Sequence, residues 1–202
     1  MLGRDAQALV AARAAEFRDP ETGAHIQRMA NYSSLIARQF GLPEAELKLI
    51  LHAAPMHDVG KIGIPDHILL KPGRLTPEEY DEMKRHPVIG HELLNGSESR
   101  VLQAAAVIAL AHHEKLDGSG YPYGLRGDDI PLLGRIVAVA DVFDALTSVR
   151  PYKQAWPLEK AEAYLRESSG SHFDPVCVSA FFAVWDDVLE IHARYRDEAV
   201  AA

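Results

Sequence analysis

Val101-Leu102-Gln103-Ala104-Ala105-Ala106-Val107-Ile108-Ala109-Leu110-Ala111-His112-His113 is apolar except for Gln103 until its last two residues. A run this long, rich in alanine and leucine and without alternation, reads as a helix buried nearly all round. It ends in His112-His113-Glu114, where two polar rings beside a buried helix are costly without partners. The same apolar pattern returns over residues 130–146, with Asp141 and Asp144 inside it. A buried carboxylate needs a cation or several donors. Histidines and aspartates buried in one chain satisfy each other most simply through metal ions.

Upstream lies Met56-His57-Asp58-Val59-Gly60-Lys61-Ile62-Gly63-Ile64-Pro65-Asp66, a neutral and an acidic ligand side by side. Lys61 follows His57 by four residues, so a helix continuing that far puts both on one face. Gly60, Gly63 and Pro65 then end it. Other helices are expected over residues 5–17, from Asp19-Pro20 to Phe40-Gly41, and from Pro43 towards His57. Thr76-Pro77-Glu78-Glu79 is a capping box that opens a helix ending at His86-Pro87. A short helix follows over 88–95, and two more are expected over 157–168 and 175–196. No segment sustains a period of two between turns. The only β-branched run, residues 136–140, continues into a helical pattern. The fold class is all-α.

At 202 residues and 48% hydrophobic, the chain has ample material for one core. A formal net charge of −8 argues against a polymeric nucleic-acid binder steered by positive charge. The single cysteine, Cys177, allows no intramolecular disulfide and reads as a small core residue. No apolar stretch approaches a membrane span, and the N-terminus lacks signal-peptide order. A cytoplasmic protein with no membrane insertion is expected.

Of ten histidines, His25, His57, His86, His112 and His113 stand at helix positions beside carboxylates or glycine-rich turns. His52, His67, His91, His172 and His192 receive no role. The donor set is nitrogen and oxygen without thiolate, which argues against structural zinc and favours manganese or iron, with zinc or nickel tolerated. So many ligands exceed the needs of one ion. Two ions sharing an aspartate would use them, and such pairs suit phosphoester hydrolysis by a bridging hydroxide.

His57-Asp58-Val59-Gly60-Lys61, His112-His113-Glu114 and Asp117-Gly118-Ser119-Gly120-Tyr121-Pro122 together resemble the HD-GYP family, cyclic di-GMP phosphodiesterases of the HD phosphohydrolase superfamily. Glu21-Thr22-Gly23-Ala24-His25, Asp141-Val142-Phe143-Asp144, Arg150-Pro151-Tyr152-Lys153 and Phe173-Asp174-Pro175 extend the likeness over roughly residues 18–190. The resemblance implies an HD-domain helical bundle extended by C-terminal helices. Its domain spans 18–196, after an N-terminal helix or linker over 1–17 and before a tail over 197–202. It implies hydrolysis of cyclic di-GMP to linear pGpG, with either pGpG or GMP as the final product. Another cyclic dinucleotide, or a catalytically silent dinucleotide-binding module, is the alternative.

Carried over from the family, the metal ligands would be His25, His57, Asp58, His86, His112, His113 and Asp141, with Asp58 as the bridge. Glu21 would recruit a third metal or serve as a carboxylate at a helix N-terminus. Asp144 reads as a partner of a ligand rather than a ligand itself. Asp58 and Lys61 form the catalytic pair, Lys61 beside the scissile phosphate or in a salt bridge. Tyr121, Arg150 and Lys153 would touch substrate, although Tyr121 could simply staple its loop and the basic pair could be solvated. Pro55-Met56 departs from the leucine usual before the HD pair and is expected to kink that helix. The family also implies an upstream sensor or receiver domain, a diguanylate cyclase (GGDEF) partner and a homodimer.

Overall fold

Proline and glycine punctuation divides the chain into short helices with no named strand among the described residues. The structure, a computed structural model, describes residues 23–149 and 154–196. Glu21, Arg150, Lys153, the helix expected over 5–17 and the 197–202 tail lie outside them. Helix α1 covers Gly23–Gln39 and α2 covers Glu44–Ala53, with Pro43 as N-cap. After the HD turn come α3, Asp66–Leu69, α4, Pro77–Met83, α5, His86–Leu94, and α6, Arg100–Ala111. Helix α7 is Leu132–Thr147, α8 Leu158–Glu167, α9 Pro175–Ala183 and α10 Trp185–Arg194.

Helix α6 is the axis of the bundle, packed against α2, α5 and α7, while α1 covers α2 and α7 and takes α9 and α10 on its outer side. The core runs from Met29, Tyr32 and Ile36 of α1 through Ala105 and Ile108 to Ile136, Val139 and Phe143 of α7. Tyr32 packs edge-to-face on Phe143 at 5.5 Å and on Phe181 at 6.2 Å. Each such aromatic pair contributes roughly 0.5–1.5 kcal/mol beyond buried area. Cys177 is fully buried, and burial pushes its thiol up to about 12, which leaves it a core residue and no nucleophile. No described helix is long and apolar enough to cross a membrane.

Close backbone approach sets the spacing of the central helices. A Cβ on Gly134 would stand 2.6 Å from the Ala111 Cβ, so α6 and α7 meet there at glycine distance. A Cβ on Gly60 would collide with the His86 carbonyl oxygen and the Gly90 nitrogen, so the HD turn lies directly on α5.

Three local expectations are corrected. The helix before His57 does not run on to Lys61: α2 ends at Ala53, Ala54–Met56 and Val59–Gly63 are 3-10 turns, and His57-Asp58 sits between them. Pro55 lacks the N–H that another α-helical turn requires. His86 opens α5 instead of closing α4, because Pro87 in a first turn has no N–H to satisfy. The helix expected over 175–196 breaks at Val184 (φ −119°, ψ 31°). Beyond the break Trp185 meets Phe143, with ring centroids 5.6 Å apart.

Candidate metal centre

Helix ends and turns deliver the polar groups to the middle of the bundle. His57 and Asp58 come from the turn that Gly60 seats against α5, and His86 stands at the N-terminus of α5. His112 caps the C-terminus of α6 and His113 follows it, while His25 and Asp141 project from inside α1 and α7. Two groups result, one of Asp58, His86, His112 and His113, the other of His25, His57 and Asp141. Within each, the ligand atoms lie within 4.8 Å of one another. Asp58 faces both groups. Its Oδ1 is 3.1 Å from His86 Nε2 and 3.5 Å from His112 Nε2, and its Oδ2 is 3.2 Å from His57 Nε2. Asp141 Oδ1 is 3.8 Å from both His25 Nε2 and His57 Nε2.

The other ring nitrogens decide the tautomers. His57 Nδ1 donates to the Ala54 carbonyl at 3.0 Å, His86 Nδ1 to Met83 at 2.8 Å, and His112 Nδ1 to Ala109 at 3.0 Å. His25 Nδ1 donates to Asp144 Oδ2 at 2.8 Å. An acceptor on Nδ1 fixes the proton there and leaves the Nε2 lone pair pointing inward. The Nε2 atoms of His57, His86 and His112, and Asp58 Oδ1, are buried without a hydrogen-bond partner. They are close to one another but not aimed at one another. Buried acceptors converging on shared points without donors are what divalent cations satisfy, and a nitrogen and oxygen set fits hard or borderline ions. The site fits two metals.

Electrostatics agree. Burial would raise the Asp58 carboxyl, but Lys61, His57 and His112 hold it well below the usual range. Burial pushes His113 well below an ordinary imidazole, helped by His112 and His86, and lowers His112 despite Asp58. At His57 burial is outweighed by Asp58 and Asp141, which raise its proton affinity and favour positive charge at that point.

Lys61 Nζ lies 2.6 Å from Asp58 Oδ2, at the rim of the centre. The glycine-rich loop closes the other side. Tyr121 lays its ring on His113, with centroids 4.7 Å apart and planes at 31°, and burial raises its hydroxyl so that it stays a neutral phenol. The loop is anchored by Glu114, only 2% exposed, whose two oxygens accept from the Tyr123 N–H at 2.8 Å and the Leu125 N–H at 3.0 Å. Tyr121 N–H donates to the His113 carbonyl at 3.1 Å. Gly120 is required there, because a Cβ would collide with the Lys115 backbone nitrogen.

The sequence reading gave Glu114 and Arg28 no role. Glu114 follows the two histidines directly, which was its one available signal. Arg28 stands three residues after His25, on the same helix face, and holds Asp144 Oδ1 with Nε at 2.5 Å. Asp144 is the partner of His25 and belongs to neither ligand group. His52, His67, His91, His172 and His192 are likewise in neither group.

Residues 10–177 match the HD domain family. The chain is 59% identical over 169 residues to the cyclic di-GMP phosphodiesterase response regulator RpfG of Xanthomonas campestris pv. campestris, covering 84% of this chain and 45% of that protein. It is 50% identical over 183 residues to a cyclic di-GMP phosphodiesterase of Thermotoga maritima (91% and 50% covered). It is 49% identical over 186 residues to 3'3'-cGAMP-specific phosphodiesterase 2 of Vibrio cholerae (92% and 36% covered). The chain thus spans about half or less of the length of these relatives. The fold is shared with a cyclic GMP-AMP specific phosphodiesterase of Vibrio cholerae, at a TM-score of 0.62, 19% identity and 95% and 52% coverage. It is shared equally with the HD domain of Listeria monocytogenes PgpH, at a TM-score of 0.62, 16% identity and 95% and 100% coverage. By sequence over most of its length, and by fold, this chain belongs to the HD domain family.

Proposed function

We propose that this chain is a metal-dependent phosphodiesterase that opens cyclic di-GMP to linear pGpG, with pGpG or GMP as the final product. The observation that carries the reading is the pair of adjoining ligand groups, with Asp58 in one and its second oxygen 3.2 Å from His57 of the other, and Lys61 on the same carboxylate. His25, His57 and Asp141 would hold one divalent ion, His86, His112 and His113 the other, and Asp58 both. Iron or manganese suits the donor set best, with zinc or nickel as alternatives, and Glu21 would add a third ion. Bound ions supply Lewis acidity to phosphoryl oxygens and lower the pKa of water.

The chain's own groups do the rest. The Nδ1 contacts hold the rings of His25, His57, His86 and His112 so that their lone pairs need no reorientation. Lys61 brings a cation and a proton donor to the edge of the centre, where it stabilises charge on the phosphoryl oxygens or protonates the departing ribose oxygen. The loop, closed over His113, excludes water, and Tyr121 offers a phenol O–H and a ring face to the dinucleotide. Arg150 and Lys153 would take a phosphate or a guanine. The relatives named for cyclic di-GMP support this substrate, and the response-regulator name of one supports control by a receiver or sensor domain.

A second substrate, 3'3'-cGAMP, is supported by the relative named for it. Anaerobic purification, elemental analysis and a chromatographic assay with each dinucleotide under Mn²⁺ or Fe²⁺ test both. Two or three metals per chain with pGpG or GMP formed is the expected result. Faster turnover of 3'3'-cGAMP would move the substrate assignment, and saturable binding without turnover would make the chain a receptor.

A further inference from the structure

His25 is held differently from the other oriented imidazoles. His57, His86 and His112 lean on carbonyls three or four residues back in their own segments. His25 leans on Asp144, which is 119 residues away on α7 and fully buried. Asp144 is in turn gripped by Arg28, itself 1% exposed. Arg28 Nε donates to Oδ1 at 2.5 Å and Nη2 to Oδ2 at 2.9 Å, a two-pronged grip that fixes the carboxylate plane. Ser148 Oγ accepts from Arg28 Nη2 at 2.7 Å and donates to Asp144 Oδ2 at 2.9 Å. Arg28 Nη1 donates to the Tyr195 carbonyl at 2.5 Å, just past the last residue of α10.

We propose that Arg28 is a positioning residue for the His25/His57/Asp141 group, acting through Asp144, and that the end of α10 forms part of the same latch. The argument rests on the metal-centre reading above. Without the guanidinium fork, Asp144 is a buried carboxylate free to rotate, and the His25 ring loses the acceptor that aims its Nε2. In the other group, His86 and His112 lean on carbonyls three or four residues back, so their aim does not depend on Asp144. The two halves of the centre therefore differ in lability, and the Arg28 side is the one that loosens.

The test uses the full chain loaded with Mn²⁺, comparing wild type, Arg28→Lys and Ser148→Ala. Metal content is followed by elemental analysis across a chelator titration, with electron paramagnetic resonance reporting whether the ions are coupled or isolated. Arg28→Lys keeps the charge and loses the fork, so one ion should leave at roughly 10–100-fold lower chelator concentration while the other is retained. The spectrum should pass from coupled to isolated Mn²⁺. Ser148→Ala, which keeps the arginine, should shift the same ion severalfold and carries the test should Arg28→Lys not fold. A two-metal wild type whose variants release both ions together, or release neither more readily while losing thermal stability, would overturn the positioning role alone. A wild type that retains no metal would overturn the proposed function, and this inference with it.

Discussion

At the scale of single residues, Asp58 and Lys61 share one short contact but separate in consequence. Asp58 faces both ligand groups, so Asp58→Asn should strip metal from both and lower turnover at least about 100-fold. Lys61 belongs to neither group. Lys61→Met should leave metal content intact while kcat drops roughly 100- to 1000-fold, as for loss of a charge-stabilising donor. Elemental analysis beside steady-state kinetics reads both, and unchanged kcat in Lys61→Met would reduce the lysine to a salt-bridge partner.

His172 offers a cleaner titration, away from the ligands. Its ring stacks on Phe173 at 4.0 Å, and burial, then Lys115, pushes it down to about 4 against the opposing Asp117. Between about 4 and 6.5 the unfolded chain binds the extra proton and the folded chain does not. Its contribution is therefore whole above pH 6.5 and is lost as the pH falls towards 4. With solvent screening allowed for, the effect is on the order of 2 kcal/mol. The difference in urea-unfolding free energy between wild type and His172→Gln should shrink or reverse across that window. A difference flat with pH would contradict the assignment.

At the scale of elements, the HD turn and α5 are one unit because two glycines let them touch. Gly60→Ala places a methyl group into the His86 carbonyl and the Gly90 backbone, neither of which is the end of a flexible side chain. Overpacking of this kind costs about 1–3 kcal/mol. Since His86 opens α5, the strain should also weaken metal retention at the Asp58/His86/His112/His113 group. Thermal unfolding with metal analysis checks it, and a variant of wild-type stability and metal content would show that the turn has room to shift.

For the whole molecule, the centre joins α1, the HD turn, α5, α6 and α7, so an ion bound there ties distant parts of the chain together. Adding Mn²⁺ to chelator-treated protein should raise the midpoint of unfolding. Each tenfold of free metal above its Kd adds about 1.4 kcal/mol per site, or roughly 3–5 °C for a chain of this size. A midpoint indifferent to Mn²⁺ would mean that the folded state holds no ion there.

Much of this was legible in the residues themselves. The capping box at Thr76 and Glu79, the all-α class and the apolar character of α6 and α7 are local properties of side chains and proline punctuation, and the structure has each. The ligand set was named from short motifs, and the structure brings His25, His57, Asp58, His86, His112, His113 and Asp141 into two adjoining groups. What the sequence did not yield were the break at Val184, the start of α5 at His86, and the roles of Glu114 and Arg28. Those depend on what lies across the bundle: Trp185 turns towards Phe143, Glu114 catches N–H groups 9 and 11 residues ahead, and Arg28 meets an aspartate 116 residues away. The sequence by itself determined which groups could bind metal and which segments could be helices, because periodicity, capping and ligand chemistry are written residue by residue. Only the tertiary structure decided which nitrogen of each ring faces inward and what holds it there, because a hydrogen bond between distant residues exists only after the helices have packed.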